Sequence, residues 1–280
     1  MDGITRTVYG SLLQTVKLLG LPFSKKTNST LNEKFGIQAD AVPGISEMPN
    51  MRYYAIGNGG HRLSVGAGGI AIPEPIQHRA TDAALFNHLP FVLREPQNDL
   101  AAADRANYGL RREETWNGLR YIAYYLKRIP LATVVADMEY KSVQDGNTIT
   151  SPFAPDSSNL NPTPPALNPV GVNVVTGDYT TATAKVSLTL TAADVTELFN
   201  VAKVIYDDER YAIISEIGLV SGVDKVITTT GVGAATISFN EVICAQVVSH
   251  INTFFQLQAS SNGTEILLDV GSSEPLYSIA

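Results

Sequence analysis

Three of the four histidines, His61, His78 and His88, fall within 28 residues, with Glu74 and Asp82 among them. Imidazole and carboxylate at close quarters can make a metal site or a general acid–base pair. The spacing favours neither. No H-E-x-x-H occurs, and Pro73 and Pro75 crowd the start of any helix that would set His78 and Asp82 on one face. A metal-dependent hydrolase built on His61, His78 and His88 is therefore the weakest reading, and hydrogen-bonded structural histidines are the expectation. Gly57-Asn58-Gly59-Gly60 follows a strand-like run, as a phosphate-binding loop would, but no Lys-Ser or Lys-Thr closes it and no full G-x-G-x-x-G leads into a helix. It reads as a turn or a close backbone contact. The one cysteine, Cys244, lies in an apolar pattern and reads as a small core residue. The acidic runs Glu113-Glu114 and Asp207-Asp208-Glu209 read as solvated turns or element ends. No catalytic residue, cofactor or metal ligand is assigned, and the chain reads as a non-enzyme.

A second group mixes arginine with tyrosine. Arg94, Arg105, Arg111, Arg112, Arg120, Lys127 and Arg128 lie within 35 residues, interleaved with Tyr108, Tyr121, Tyr124 and Tyr125. Such a segment can track a phosphate backbone, so a DNA-binding module or DNA-channel lining is one reading. Arg and Tyr are also what protein interfaces concentrate, and Asp99, Asp104, Glu113 and Glu114 dilute the positive charge. The interface reading is preferred, with Tyr53, Tyr54, Arg111, Arg112, Tyr124 and Tyr125 as expected anchors between copies.

These groups sit in a chain of 280 residues, long enough for a sizeable core. Charged residues make up 17%, against roughly 25% in a typical soluble domain. A lightly charged surface suits a protein covered by copies of itself or by neighbours. The net charge of −7 is uneven: residues 1–130 carry +4 and residues 131–280 carry −11. Head-to-tail stacking, or one end facing nucleic acid, would use such a polarity. The N-terminus lacks the basic start, apolar run and small-residue cleavage site of a signal peptide, and no stretch of 18 apolar residues offers a membrane span.

The elements expected to position these residues form an α+β fold of antiparallel strands and hairpins with a few helices. A helix over 4–19, with Val8, Leu12 and Leu19 on its apolar face, precedes an extended arm to residue 50. Strands are expected at 51–57, 118–129 and 131–143, and Asp145-Gly146 signals a hairpin. Short helices are expected at 82–88 and 99–108. Six prolines between 151 and 170 predict a long exposed loop. Thr191 opens a helix to about Tyr206, 211–220 is a strand ending at a Ser221-Gly222 turn, 240–255 reads as the strongest helix, and 264–270 as a last strand. The divisions expected are 1–50 (helix and arm), 51–150 (first part of the body), 151–170 (proline-rich loop) and 171–280 (second part).

The blocks YYAIGNGGHR (53–62), HRATDAALFNHLPFVLRE (78–95), the run from NDL to LRYIAYYLKRI (98–129), ISEIGLVSGVD (215–225) and LDVGSSEPLY (268–277) resemble virion structural proteins encoded by large tailed bacteriophages. The blocks cover about a third of the chain. The resemblance implies a component of the virion, assembled in the host cytoplasm. It also implies partners: copies of the chain in a ring, and neighbouring portal, connector or tail proteins. A ring-forming neck, collar or connector piece joining head and tail is the first expectation, and a baseplate or other tail piece the second. A DNA contact is the remaining alternative, and no membrane partner is expected. The resemblance transfers no catalytic residue.

Overall fold

Residues 240–255 form a strand, not the helix expected from their spacing. Glu241 through Val247 are buried without a break, so both faces of this segment are covered. A strand covered on both faces shows an unbroken apolar run, which periodicity cannot tell from a buried helix. The β-branched residues Val242, Ile243, Val247 and Val248 favour the extended form.

The structure is a computed structural model that describes residues 3–23, 30–38, 43–44, 46–163, 173–230, 236–258 and 262–279. Its strands are β1 (Gly3–Arg6), β2 (Asn50–Gly57), β3 (His61–Val65), β4 (Ala71–Pro75), β5 (His88–Leu89), β6 (Val92–Arg94), β7 (Tyr108–Trp116), β8 (Leu119–Arg128), β9 (Ala136–Gln144), β10 (Asn147–Pro152), β11 (Asn173–Thr191), β12 (Ile213–Thr230), β13 (Thr236–Gln256) and β14 (Gly263–Ile279). The helices are α1 (Val8–Leu18), α2 (Thr30–Phe35), α3 (Ala102–Arg105), α4 (Ser157–Leu160) and α5 (Ala192–Tyr206). Strand accounts for 54% and helix for 19%, so the α+β class expected from the sequence is corrected to a mostly β architecture. The correction comes chiefly from β12 and β13, which extend as long strands through segments read as a turn and a helix.

The chain divides into two compact units, 1–129 with 189–265, and 130–188 with 266–280. The first holds an eight-stranded sheet ordered β1-β13-β12-β2-β8-β6, with β5 on β2 and β7 on β8, and a separate two-stranded hairpin, β3-β4. The second holds the four-stranded sheet β10-β9-β11-β14, apart from the ends of β11 and β14. There the Asp145-Gly146 turn forms as expected, with φ of 51° and 78°, the left-handed values a tight hairpin needs.

In the first unit α1 and α2 pack on β13. Phe23, Leu31 and Ile37 are buried in the main core, so the arm expected to be extended contains α2 and lies on its own body at these positions. Three apolar side chains gain more from that burial than a free arm could. The proline-rich loop is described only to residue 163, and the expectation for 164–170 lies outside the described residues. Residues 82–88 are not helical, and of 99–108 only α3 is an α-helix. By contrast α5 is capped by Thr191, whose hydroxyl accepts from Asp194 N while the Asp194 carboxylate accepts from Thr191 N, the reciprocal cap its sequence predicts. β12 runs straight through Ser221-Gly222, with a register shift there in place of a turn.

Gly109 in β7 lies against Tyr53, and a Cβ at Gly109 would sit 2.7 Å from the ring. Tyr53 is fully buried and has no room to yield. Gly109→Ala is expected to cost about 1–3 kcal/mol, read as a lower urea midpoint at unchanged slope. An unchanged midpoint would show that the Tyr53 pocket is slack.

Candidate functional site

Of the residues singled out for chemistry, His78, Asp82 and the glycine-rich segment converge around one carboxylate that is fully buried. Glu216 stands in β12 opposite Gly57 of β2 and Asn252 of β13. Its Oε1 accepts from the backbone N–H of Gly59 at 3.0 Å and of Asn87 at 2.9 Å. Its Oε2 accepts from Phe86 N at 2.9 Å and faces His78 Nε2 at 2.8 Å. The side chains of Glu216 and His78 are both fully inaccessible. On its other side His78 Nδ1 faces Asp82 Oδ2 at 3.1 Å. Each ring nitrogen of His78 thus faces a carboxylate oxygen. The ring is sandwiched between Phe86 and His250, each 3.9 Å away and nearly parallel.

This explains why 82–88 is not a helix. Phe86 N and Asn87 N, which a helix would direct to carbonyls four residues back, go to Glu216. It also explains the glycines. A Cβ at Gly57 would lie 2.5 Å from Glu216 Oε1, and one at Gly60 would lie 2.6 Å from Ser215 O. The glycine-rich segment is thus a close backbone approach, as its sequence predicts, and its anion is the protein's own carboxylate.

The histidines do not share a site. His78 is in this cluster. His88 accepts from Leu85 N at 3.1 Å and meets Phe35 edge-on. His61 packs edge-on against Phe254. Among the described residues no group of three or more His, Cys, Asp or Glu side chains is arranged to hold a metal ion. Burial pushes the His250 ring down to about 4 and the His88 ring down to about 3. Burial alone would raise the Asp82 carboxyl, but hydrogen bonds from Arg79 N and His78 outweigh it and hold the group below its ordinary value.

The cluster is an anchor for what lies between its parts. The entry to the β3-β4 hairpin is tied by Gly59 N to Glu216 and by Gly60 N to Ser215 Oγ at 2.9 Å. The exit is tied by His78 to Glu216, by His78 N to Asn252 Oδ1 and by the Asn252 amide to Ile76 O. Ile76 N closes the base on Gly60 O at 2.8 Å. Above that base the register pairs Leu63 with Pro73 and Val65 with Ala71, which puts all four on one face. Leu63 is 66% exposed and Val65 79%. The opposite face carries the Arg62–Glu74 ion pair at 2.9 Å. A two-stranded hairpin is marginal by itself, so this one depends on its anchored base.

The six expected interface anchors are engaged within the chain itself. Tyr53, Tyr54, Tyr124 and Tyr125 are buried, and so is Arg111. Arg111 pairs with Asp99 at 2.9 Å, Arg112 with Glu241 at 2.7 Å, and Tyr125 donates to Glu114 at 2.8 Å. Tyr54 donates to Thr189 O, Tyr124 to Asp99, and Arg128 stacks over Tyr53 while pairing with Asp224. These side chains have little surface left for a neighbour. Residue type alone pointed outward, but the aromatic bulk was needed for the core. Arg94 and Lys127 are likewise paired, with Glu197 and Asp194, so the segment is not a bare positive patch. The residue missed in the sequence is Glu216. Its signal was there: it is the one charge in the apolar run Tyr211–Val220.

A family model spans residues 1–279. The chain belongs to DUF7208, a family of unknown function. No curated protein and no solved structure matches it. Among the described residues of this DUF7208 chain, no helix is long and apolar enough to cross a membrane.

Removing the Glu216 carboxylate would strand three buried N–H groups and His78. Glu216→Ala is therefore expected to cost about 3–5 kcal/mol, enough to leave much of the protein unfolded. Circular dichroism and urea titration test this, and a loss below about 1 kcal/mol would reject the anchor. The pH dependence has a defined sign. His88 and His250 fold with pKa values below the ordinary 6.5, so the unfolded chain takes up their protons first. The stability they confer is complete above about pH 6.5 and is lost as pH falls towards 4. A urea midpoint that stays level from pH 8 to 7 and drops steadily between 6.5 and 4 is expected, and one that stays level to pH 4.5 would contradict it.

Proposed function

We propose that this chain is a structural subunit of a tailed-bacteriophage particle, a ring-forming neck, collar or connector component that joins head and tail by associating with copies of itself. The observation that carries the reading is the β3-β4 hairpin, whose uncharged apolar face is held in solvent by a buried polar anchor. A structure that spends its most elaborate polar cluster on presenting greasy surface is organised for contact with another protein. The low charge content and the sequence blocks similar to virion proteins support the same reading. The ion pairing within the 94–128 segment leaves the DNA-channel alternative less favoured.

Light scattering over a concentration series tests the proposal. A discrete multiple of the 30.0 kDa chain, six- or twelve-fold for a closed ring, is the expected result. A monomer of 30.0 kDa at every concentration would reject self-association.

A further inference from the structure

β13 turns two side chains onto the segment that carries the exit of the β3-β4 hairpin. Asn252 accepts from His78 N at 3.3 Å and donates to Ile76 O. His250, two residues earlier and so on the same face of the strand, holds that segment at two further points. Its Nε2 lies 3.1 Å from the carbonyl oxygen of Asp82. Its ring stacks on His78 with 3.9 Å between centroids and 12° between planes. A carbonyl oxygen only accepts, so Nε2 donates and the neutral ring carries its proton there. Its Nδ1 is shut off from solvent and has no hydrogen-bond partner among the described residues.

We propose that His250 is an acid-operated latch: a proton taken up at Nδ1 drives its ring out of the stack on His78 and frees segment 76–82, and with it the root of the β3-β4 hairpin, while the sheet stays paired. The geometry couples the proton to the movement. A ring protonated in place would hold a buried N–H with no acceptor, and its charge would lie flat against a second imidazole. Among the described residues the titratable groups that face His250 are His78 and Asp82 of the 76–88 segment, Glu216 of β12 and His88 of β5. β1 sets the uncharged Thr5 opposite it. Of the charges on other elements packed on β13, Lys17 of α1 is turned to Asn50, Glu74 of β4 to Arg62, and Lys34 of α2 lies towards His88. Asp82 and Glu216 attract a proton to His250, but burial outweighs them and pushes the ring down to about 4. An exposed histidine titrates near 6.5, so the proton goes to the released ring.

What the ring lets go has no regular secondary structure of its own, whereas β13 pairs with β12 from Thr236 to Gln256. Opening is therefore confined to the segment and the hairpin it roots. The latch is tightest above about pH 6.5 and loosens as pH falls towards 4. Because the released ring binds its proton near 6.5, the open population at pH 5 is on the order of 20-fold larger than at pH 7.5.

The test is hydrogen exchange of the full chain, followed by mass spectrometry at pH 7.5 and pH 5 and corrected for the intrinsic pH dependence of amide exchange. Peptides covering 59–80 are expected to lose protection about 20-fold, while those covering 242–247 keep theirs. His250→Gln, whose amide can donate to Asp82 O but takes up no proton, is expected to remove the pH response of 59–80. Equal loss in both regions would mean global unfolding and would overturn the inference. So would the absence of any response in the unaltered chain, or a response that survives in His250→Gln. Should His250→Gln not fold, His88→Gln decides. The response of 59–80 persists in it if His250 is the latch, and its disappearance would assign the response to His88 and overturn the proposal.

Discussion

The first unit depends on a single buried carboxylate and the four donors that surround it. Glu216 is a fully buried acid at the middle of the sheet, between β2 and β13, and a buried carboxylate there without partners would be prohibitive. Three backbone N–H groups and an imidazole compensate it. Those donors come from segments that no regular secondary structure holds, 58–60 and 76–87. A strand or helix would have used their N–H groups for itself. The carboxylate therefore replaces a secondary-structure ladder, and the irregular path of both segments follows from it.

That anchor has consequences at two scales. Locally, it demands glycine at 57 and 60, because the backbone comes too close to Glu216 and Ser215 for a side chain. It also holds His78 flat between Phe86 and His250, where a ring with two carboxylate partners is shielded from water. At longer range, it fixes both ends of the β3-β4 hairpin. A pair of short strands with an uncovered apolar face would not persist in water without such a root. A buried polar cluster at its root thus supports an exposed apolar face on the hairpin.

The arginine–tyrosine segment follows the same economy. Its charges are spent on internal pairs with Asp99, Glu241, Asp194, Asp224 and Glu197. Arg112 pairs with Glu241 of β13, Lys127 with Asp194 of α5, Arg128 with Asp224 of β12 and Arg94 of β6 with Glu197 of α5, so these bonds tie β6, β7 and β8 to other elements, while Arg111 pairs with Asp99 within the segment itself. A partly buried pair of this kind contributes specificity more than net stability.

Sequence by itself determined whatever rests on local chemistry. The reciprocal cap at Thr191 and Asp194, the Asp145-Gly146 turn, the strand at 51–57 and the helical register of Val8 and Leu12 follow from interactions among residues a few positions apart. The close-approach reading of Gly57–Gly60 also held, since glycine needs no partner to announce that a side chain is excluded. Tertiary structure decided the rest. Whether 240–255 is helix or strand turned on having both faces covered, which spacing does not encode. Whether Tyr53, Tyr124 and Arg111 point in or out turned on where the core needed bulk and where Asp99 and Asp224 lay in space. The meeting of His78, Asp82 and Glu216 joins residues 138 positions apart, and only the pairing of β2, β12 and β13 brings them together. Local patterns are set by neighbours in the chain, whereas the partner of a buried charge is set by which strands the whole sheet places side by side.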